Sequence, residues 1–308
     1  MNRLTHCARN LVRHGLYSAL VVCAAGAAQV HAAGSAAIVL PSLTQPASGE
    51  HHIGKVVWTD LITPDLEGAK HFYGTLFGWT FRNVPGDSNY VLALLDGEPV
   101  GGLFQKALPQ GPAQQPVWLT FLAVQDVAAA QRTALQHGGK VQSQSRNFPH
   151  RGRQTILADP DGVVFAVLEA EGGDPPDYLA APGDWIWSSL LVKNPQQETA
   201  FYKTLFGYDV DDLEGDAQHY VLSNDEYARV GLNALPADSM RRRPHWLNFV
   251  RVTDAADAAK KAVALGGRVL VEPRMDRHGG NLAVLADPNG APFGVMEWSD
   301  TSTEQEPK

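Results

Sequence analysis

The alternation of apolar and polar residues over 55–62 predicts a β-strand. Side chains of a strand alternate between two faces, so Trp58 and Asp60 are expected to share one face. Thr63 is predicted to cap a helix, along which apolar residues recur at helical spacing. The helix is expected to end at Gly78, which tolerates the left-handed conformation. A strand followed by an amphipathic helix is therefore predicted.

Three short strands are predicted after this helix, at 79–82, 89–95 and 100–104. The order of one strand, one helix and three strands then begins again near Pro116 and runs to Glu169. Two such βαβββ units in succession predict an α+β domain.

The chain contains this pair of units twice. The segment Phe72-Tyr73-Gly74-Thr75-Leu76-Phe77-Gly78-Trp79 returns 129 residues later as Phe201-Tyr202-Lys203-Thr204-Leu205-Phe206-Gly207-Tyr208. The turn Asp159-Pro160-Asp161-Gly162 likewise returns as Asp287-Pro288-Asn289-Gly290. Because the offset stays at 128 or 129, we interpret the chain as a duplication of a whole domain.

The predicted organisation has six parts. They are a signal peptide at 1–32, a flexible leader at 33–54, a first domain at 55–171, a linker at 172–183, a second domain at 184–299 and a tail at 300–308. The leader is rich in small residues and lacks periodicity, so no function is expected of it.

The first 32 residues have the layout of a secretory signal peptide. They contain three arginines and no acidic residue, followed by an apolar run from Leu16 to Ala28 and the segment Val30-His31-Ala32, which ends in a small residue. Cleavage near Ala32 would give a secreted, periplasmic protein without a stable membrane span. A retained membrane anchor, or a lipid on Cys23, stays open as an alternative.

Charge and cysteine content narrow the function classes. Removing the predicted signal takes the basic residues from 25 to 22 against 33 acidic ones, so the net charge changes from −8 to −11. Such a chain repels phosphate backbones, which excludes nucleic acid as an expected partner. Both cysteines, Cys7 and Cys23, lie in the predicted signal, so the mature protein would have no disulfide, thiol nucleophile or thiolate metal ligand.

The paired βαβββ units, the helix ending in Phe-Tyr-x-x-Leu-Phe-Gly-Trp and the Asp-Pro-Asp/Asn-Gly hairpin together resemble the vicinal oxygen chelate superfamily, which includes glyoxalase I, extradiol dioxygenases and bleomycin resistance proteins. The segment Trp58-Thr59-Asp60-Leu61 before Thr63-Pro64-Asp65 resembles tandem glyoxalase-like proteins. The resemblance implies that each pair of units forms a cupped mixed sheet, with helices on its outer face and a ligand on its concave face.

Metal-dependent members of that superfamily hold a divalent ion with His or Glu side chains on the first and last strands of the units. Counting from the shared motifs places these positions at residues that cannot bind a metal, namely Trp58, Leu119 and Ala166 in the first domain and Trp187, Leu247 and Gly294 in the second. No cofactor is therefore predicted, and a divalent metal held by other ligands is kept as an alternative.

Asp60 is the one candidate catalytic residue, since it shares the face of Trp58 and could place a carboxylate in the first cup. A hydrogen bond at the rim of the cup is the competing interpretation. Ser189 takes the corresponding place in the second domain, so the two cups are expected to differ. Trp58 and Trp187 are candidates for stacking a planar ligand, or for filling the cups.

Other candidate ligand-binding residues are polar side chains in strands and loops. They are Tyr90 and Tyr220, taken as counterparts in the two domains, and His150, Arg153 and His278, in loops before the penultimate strands. Packing is the competing interpretation for the tyrosines, and solvation for the loop charges.

The sequence thus favours an exported protein that binds a small, partly apolar molecule in a cup without metal. An enzyme of glyoxalase, hydroxylase or epimerase type, acting through Asp60 or another metal site, is the second hypothesis. A non-catalytic assembly protein is the third. The sequence leaves the oligomeric state open, because exposed sheet edges permit pairing within or between chains.

Overall fold

The computed structural model describes residues 38–108, 115–213, 215, 217–235, 243–275 and 280–298. The elements of the first domain are β1 Val56–Thr63, α1 Leu66–Phe77, β2 Thr80–Val84, β3 Asp87–Leu95, β4 Glu98–Gln105, β5 Val117–Ala123, α2 Val127–Gln136, β6 Lys140–Val141, β7 Arg146–Phe148, β8 Gly152–Ala158 and β9 Val164–Ala170. Those of the second domain are β10 Trp185–Val192, α3 Pro195–Phe206, β11 Asp209–Asp212, β12 His219–Asn224, β13 Tyr227–Ala234, β14 His245–Val252, α4 Ala255–Ala264, β15 Arg268–Met275, β16 Asn281–Ala286 and β17 Pro292–Glu297.

The helix boundaries follow capping chemistry. Asp65, rather than the predicted Thr63, caps α1, because its carboxylate accepts the N–H of Gly68 at 2.9 Å. Gly78 ends the helix at φ 77°, as predicted, and Gly207 ends α3 at φ 74°. Sequence spacing therefore located these ends to within two residues.

Each domain forms one mixed sheet. The strand order is β2-β3-β4-β1-β5-β9-β8-β6 in the first sheet, with β7 paired to β8, and β11-β12-β13-β10-β14-β17-β16-β15 in the second. In both, the first strand of the domain pairs parallel with the last strand of its own unit and antiparallel with the first strand of the next unit. The two units of a domain thus join edge to edge into one curled sheet.

The helices lie on the outer faces of the sheets, and these outer faces meet. One apolar core combines α1 and β3 of the first domain with α4, β16 and β17 of the second. The other core combines α2, β8 and β9 with α3, β12 and β13. Each helix therefore packs against the other domain as well as its own, so the domains share their hydrophobic cores.

The residues of the duplicated motifs make hydrogen bonds that join the two domains. The hydroxyl of Tyr73 in α1 donates to Asp287 of the second domain at 3.3 Å, and Tyr202 in α3 donates to Asp159 of the first domain at 3.1 Å. Between these contacts, the Thr120 hydroxyl and the Asn248 side chain hydrogen-bond to each other at 3.0 Å. The Phe-Tyr helix end of each domain thus engages the Asp-Pro turn of the other.

The described part of the predicted leader, residues 38–54, contacts the first domain and the linker. The amide of Gly49 donates to Gly172 at 3.1 Å, the Ser48 hydroxyl to the Asp174 carbonyl at 2.7 Å, and the amide of His52 to the Asp174 carboxylate at 2.8 Å. This pairing fixes the leader along the linker, so that its apolar residues reach the concave face of the first sheet.

Several predictions concern residues outside these ranges, namely the signal peptide, His278 and the tail. Within the described ranges, no helix is both long enough and apolar enough to cross a membrane.

Candidate functional site in the first cup

The concave face of the first sheet, here called the first cup, is lined by buried apolar and aromatic side chains. Strands β1, β3, β5 and β9 contribute Trp58, Tyr90, Leu92, Leu94, Leu119, Phe121, Ala166 and Leu168, with Phe104, Phe148 and Ile156 partly buried beside them. Such a lining is typical of a site for an apolar group, provided that a few polar atoms orient the ligand.

A compact polar cluster lies among these apolar residues. The indole N–H of Trp58 donates to Oδ1 of Asp60 at 2.8 Å, and the hydroxyl of Tyr90 donates to the same oxygen at 2.8 Å. The three side chains meet because Trp58 and Asp60 alternate onto one face of β1 and Tyr90 lies on β3. Asp60 is half-buried, whereas Trp58 and Tyr90 are buried.

Gly102 makes room for this cluster. It pairs with Asp60 across β4 and β1, and a Cβ atom at Gly102 would lie 2.0 Å from the Tyr90 hydroxyl and 2.3 Å from Oδ1 of Asp60. No side chain fits there while the Tyr90–Asp60 hydrogen bond is kept. A glycine at this point is therefore required by the cluster itself.

Arg151 completes the site, and its guanidinium lies 4.0 Å from the centre of the Trp58 ring. The side chain is 1% exposed, and its Nε donates to the carbonyl of Pro41 at 2.8 Å. Among the described residues, Nη2 has no hydrogen-bond partner. A buried cation over an indole face, with the N–H groups of Nη2 left over, is an arrangement that can bind a carbonyl or carboxylate oxygen.

A tight turn carries Arg151 into the cup. His150 adopts φ 70° and Gly152 adopts φ 110°, and a Cβ atom at Gly152 would lie 2.0 Å from the carbonyl oxygen of Glu169. The turn between β7 and β8 thus needs glycine at this position. The sequence places Arg151 in a loop with His150 and Arg153, but only the backbone of the turn shows which of the three enters the cup.

The cup shifts the pKa of each ionisable group. Burial raises the pKa of Asp60, although the hydrogen bonds from Tyr90 and Trp58 and the charge of Arg151 oppose this rise. Burial, and then the charge of Asp60, raise the pKa of Tyr90 well above its ordinary value. Burial lowers the pKa of Arg151. Asp60 therefore keeps its proton to a higher pH than a solvated aspartate does.

The positions that would hold the superfamily metal are apolar. Leu119 and Ala166 lie beside Trp58 in the cup, and none of the three carries a metal-binding atom in the cup. The residues that the structure describes contain no group of three His, Cys, Asp or Glu side chains placed to hold an ion. The donor set of the first cup therefore does not fit a divalent metal.

The concave face of the second sheet, the second cup, has a simpler interior. The indole N–H of Trp187 donates to the Ser189 hydroxyl at 3.1 Å, which repeats the Trp58–Asp60 contact without the charge. The other metal positions hold Leu247 and Gly294, and a Cβ atom at Gly294 would lie 2.1 Å from the Phe249 ring. The two cups thus differ in the way that the pair Asp60 and Ser189 predicts.

Three predicted site residues lie elsewhere. Tyr220 lies on the outer face of its sheet, in the same core as Tyr202 and Phe206. Tyr90 pairs with Phe104, whereas Tyr220 pairs with Leu232, which is one residue away from the counterpart of Phe104. Tyr220 therefore faces the side of its strand opposite to that of Tyr90. Arg153 is exposed and its charge acts on Asp126, at the start of α2 on the outer face. His150 is exposed, and its amide donates to Glu171 at 2.9 Å.

A buried acidic pair, Glu198 and Asp159, lies between the domains. Glu198 in α3 is 0% exposed, and its carboxyl group lies against the carboxylate of Asp159. Burial, and then the charges of Asp159 and Asp161, raise the pKa of Glu198, and burial raises that of Asp159. Ala69 takes the place of Glu198 in the first domain, so this acid belongs to one domain only.

Sequence families support the fold assignment in both domains. Residues 51–167 match the Glyoxalase/Bleomycin resistance protein/Dioxygenase superfamily, and residues 188–296 match the Glyoxalase-like domain. The two matches coincide with the two sheets.

Relatives match along most of the chain. A Mycobacterium tuberculosis protein with the provisional name glyoxylase CFP32 is 34% identical over 259 residues, which is 82% of this chain and 98% of that protein. The anthracycline biosynthesis protein DauV of a Streptomyces species is 29% identical over 258 residues, which is 79% of this chain and 93% of that protein.

Two solved structures share the fold. The Mn(II)-bound glyoxalase of Novosphingobium aromaticivorans aligns with a TM-score of 0.58 and 18% identity, over 80% of this chain and 83% of that one. A variant of homoprotocatechuate 2,3-dioxygenase from B. fuscum aligns with a TM-score of 0.57 and 14% identity, over 84% and 74%. Identities this low speak for the fold alone.

Proposed function

Because this chain belongs to the Glyoxalase/Bleomycin resistance protein/Dioxygenase superfamily, we propose that its first cup binds a small, partly apolar molecule without a bound metal. Trp58 and the surrounding apolar side chains would contact the body of the ligand. Arg151 would bind its oxygen atom, and Asp60, which accepts from Trp58 and Tyr90, would hold the indole in place.

The observation that carries this proposal is that side chains which cannot bind a metal occupy the positions of the superfamily metal ligands, beside a buried cluster of polar side chains. Where a chelate site needs imidazole or carboxylate donors, this cup has Trp58, Leu119 and Ala166. A guanidinium with an unused N–H lies over the indole ring instead. An organic cation can bind a carbonyl or carboxylate oxygen as a metal would, but it supplies no redox or strong Lewis-acid chemistry.

An enzyme acting through Asp60 is the second candidate. The raised pKa of Asp60 favours it, because a carboxylate with a raised pKa is a stronger general base than a solvated aspartate. The relatives named for glyoxylase function and for anthracycline biosynthesis also favour catalysis. Reactions of glyoxalase or epimerase type would then use Asp60 to move a proton on a ligand held by Arg151, whereas a hydroxylase-type reaction would also need an external oxidant such as dioxygen.

We further propose that the mature protein is exported to the periplasm, with a small molecule as its partner. The basic and apolar residues of the first 32 positions support export, and the acidic charge of the remaining chain disfavours nucleic acid. A non-catalytic role in assembly is the remaining alternative. Its support is that the two domains bind each other through shared hydrophobic cores.

Metal analysis and ligand screening of the purified chain test the proposal together. We expect less than stoichiometric divalent metal, and an increase in melting temperature with molecules that join an apolar body to a carbonyl or carboxylate. A stoichiometric ion that is lost in Asp60→Asn, but kept in the matched Ser189→Ala, would contradict the metal-free site. Turnover by the wild type that Asp60→Asn abolishes would establish the enzyme instead.

A further inference from the structure

We propose that residues 38–43, here called the leader tip, are a built-in occupant of the first cup. Their contacts indicate what an external ligand must resemble, namely an apolar group next to a carboxylate or carbonyl oxygen. The proposal rests on the proposed binding function of the first cup. It adds the chemical class of the ligand and identifies the leader tip as the segment that competes with that ligand.

One side of the leader tip is apolar and is buried in the first cup. Leu40 is 8% exposed and belongs to the same cluster as Trp58, and Ile38 and Leu43 pack against that cluster. Val39 faces away and is 42% exposed. The first cup therefore already holds an apolar group, which is the part of a ligand that a cupped sheet buries.

The polar half is the contact between Pro41 and Arg151. The Pro41 carbonyl accepts the Nε hydrogen of Arg151 at 2.8 Å, while Nη2 stays without a partner among the described residues. The single carbonyl oxygen of Pro41 thus accepts only part of the hydrogen bonds that the guanidinium can donate. A carboxylate has two oxygens and a charge, so it can engage two N–H groups of a guanidinium at once. An external apolar carboxylate should therefore bind Arg151 more strongly than the leader tip does.

The leader tip can leave without the rest of the leader. Its one hydrogen bond to the body of the protein, within the described ranges, is the bond from Arg151 to Pro41. Residues 48–52 are held separately, through Gly172 and Asp174 of the linker. The leader is thus anchored beside the cup at one end, and exchange of its tip with a ligand needs no separation of the two domains.

Displacement of the tip by a charged residue tests this in the full chain. Leu40→Asp should expel the tip, whereas Val39→Asp places the same charge on the exposed side and is the matched control. Octanoate and the neutral 1-octanol are the small probes, and a labelled peptide of residues 37–44 is the third, all measured by titration.

We expect octanoate and the peptide to bind Leu40→Asp about 10- to 100-fold more tightly than they bind the wild type or Val39→Asp, the range that release of one buried leucine corresponds to. Octanoate should bind more tightly than 1-octanol, and Arg151→Gln in the Leu40→Asp background should remove that preference.

The outcomes separate the inference from the proposed function. Equal octanoate affinity in wild type, Leu40→Asp and Val39→Asp would keep the binding function and overturn the occupant. Binding of the peptide alone, with neither small probe bound, would keep the occupant and overturn the small-molecule function. Circular dichroism of each variant shows whether it is folded, and a peptide that binds folded Leu40→Asp no better than wild type also overturns the occupant. Should Leu40→Asp not fold, Leu40→Ser with Val39→Ser as control gives the same comparison.

Discussion

The indole N–H of Trp58 donates to the carboxylate of Asp60 at 2.8 Å, two residues along the same strand. In the second domain Trp187 donates instead to the hydroxyl of Ser189, at 3.1 Å. Duplication thus kept the tryptophan and its hydrogen bond in both cups, but a charged acceptor in only one. This asymmetry makes the first cup the candidate site and supplies matched controls for it.

Asp60→Ser gives the first cup the acceptor of the second. Asp60 lies close enough to Arg151 for their charges to interact. Without that negative charge, a carboxylate ligand becomes the principal counter-ion of the guanidinium, so octanoate affinity should rise several-fold while 1-octanol affinity stays within about twofold. Titration of the variant in the Leu40→Asp background measures both. Equal changes for the two probes would show that Asp60 does not act through charge.

Arg151→Gln should destabilise the protein by about 2–4 kcal/mol, since it removes a cation from the Trp58 ring and a charged donor from Pro41. Arg153→Gln is the control, because Arg153 is exposed two residues away and its removal should cost within about 0.5 kcal/mol. Urea unfolding compares the two. Equal effects would show that Arg151 is no part of a buried cluster.

Gly102→Ala should break the bond between Tyr90 and Asp60, because the new Cβ would overlap both side chains. A loss of about 1–3 kcal/mol of stability is expected from this overpacking. The matched Gly231→Ala places its Cβ 2.9 Å from the Ser189 hydroxyl and should cost less. Thermal unfolding compares the stabilities of the two variants. A larger loss in Gly231→Ala than in Gly102→Ala would contradict the packing of Gly102 against Tyr90 and Asp60.

Glu198→Gln should stabilise the protein increasingly as pH rises. The pKa of Glu198 is raised in the folded state above its ordinary value of 4.5, so the folded state holds the proton that the unfolded state releases. The penalty is absent below pH 4.5, grows above it, and stops growing once the folded-state pKa is passed. Glu198→Gln has no carboxyl group at this position and therefore does not lose this stability as pH rises.

Melting temperatures between pH 5 and pH 9 measure the difference between Glu198→Gln and the wild type. The expected gain at the alkaline end is about 1–3 kcal/mol, as for a carboxylate buried beside another acid. Glu67→Gln is the control, since the Glu67 side chain is 80% exposed on the matching helix of the first domain. A gain that does not change with pH would contradict the buried position of Glu198.

Sequence spacing predicted the fold because the information was local and repeated. The helix ends at Gly78 and Gly207 need a left-handed residue, and the positions Leu119 and Ala166 follow from counting along strands. The same counting misplaced Tyr220, because a slip of one residue moves a strand side chain to the opposite face.

The rest of the site depends on contacts between distant segments. Arg151 enters the cup through the backbone of one turn, and the neighbouring His150 and Arg153 looked equally suitable in the sequence. Leu40 lies in a segment without periodicity, so its burial against Trp58 has no local signal. Pairing of the leader with the linker, 126 residues apart at Ser48 and Asp174, is likewise a tertiary property.

Titration of octanoate into the Leu40→Asp chain, before and after chelation of divalent metals, tests metal-independent binding in the first cup most directly. One binding event should appear, with an affinity that chelation leaves within about twofold and that Arg151→Gln weakens about tenfold or more. Binding that disappears on chelation and returns with Mn²⁺, or that Arg151→Gln leaves unchanged, would contradict it.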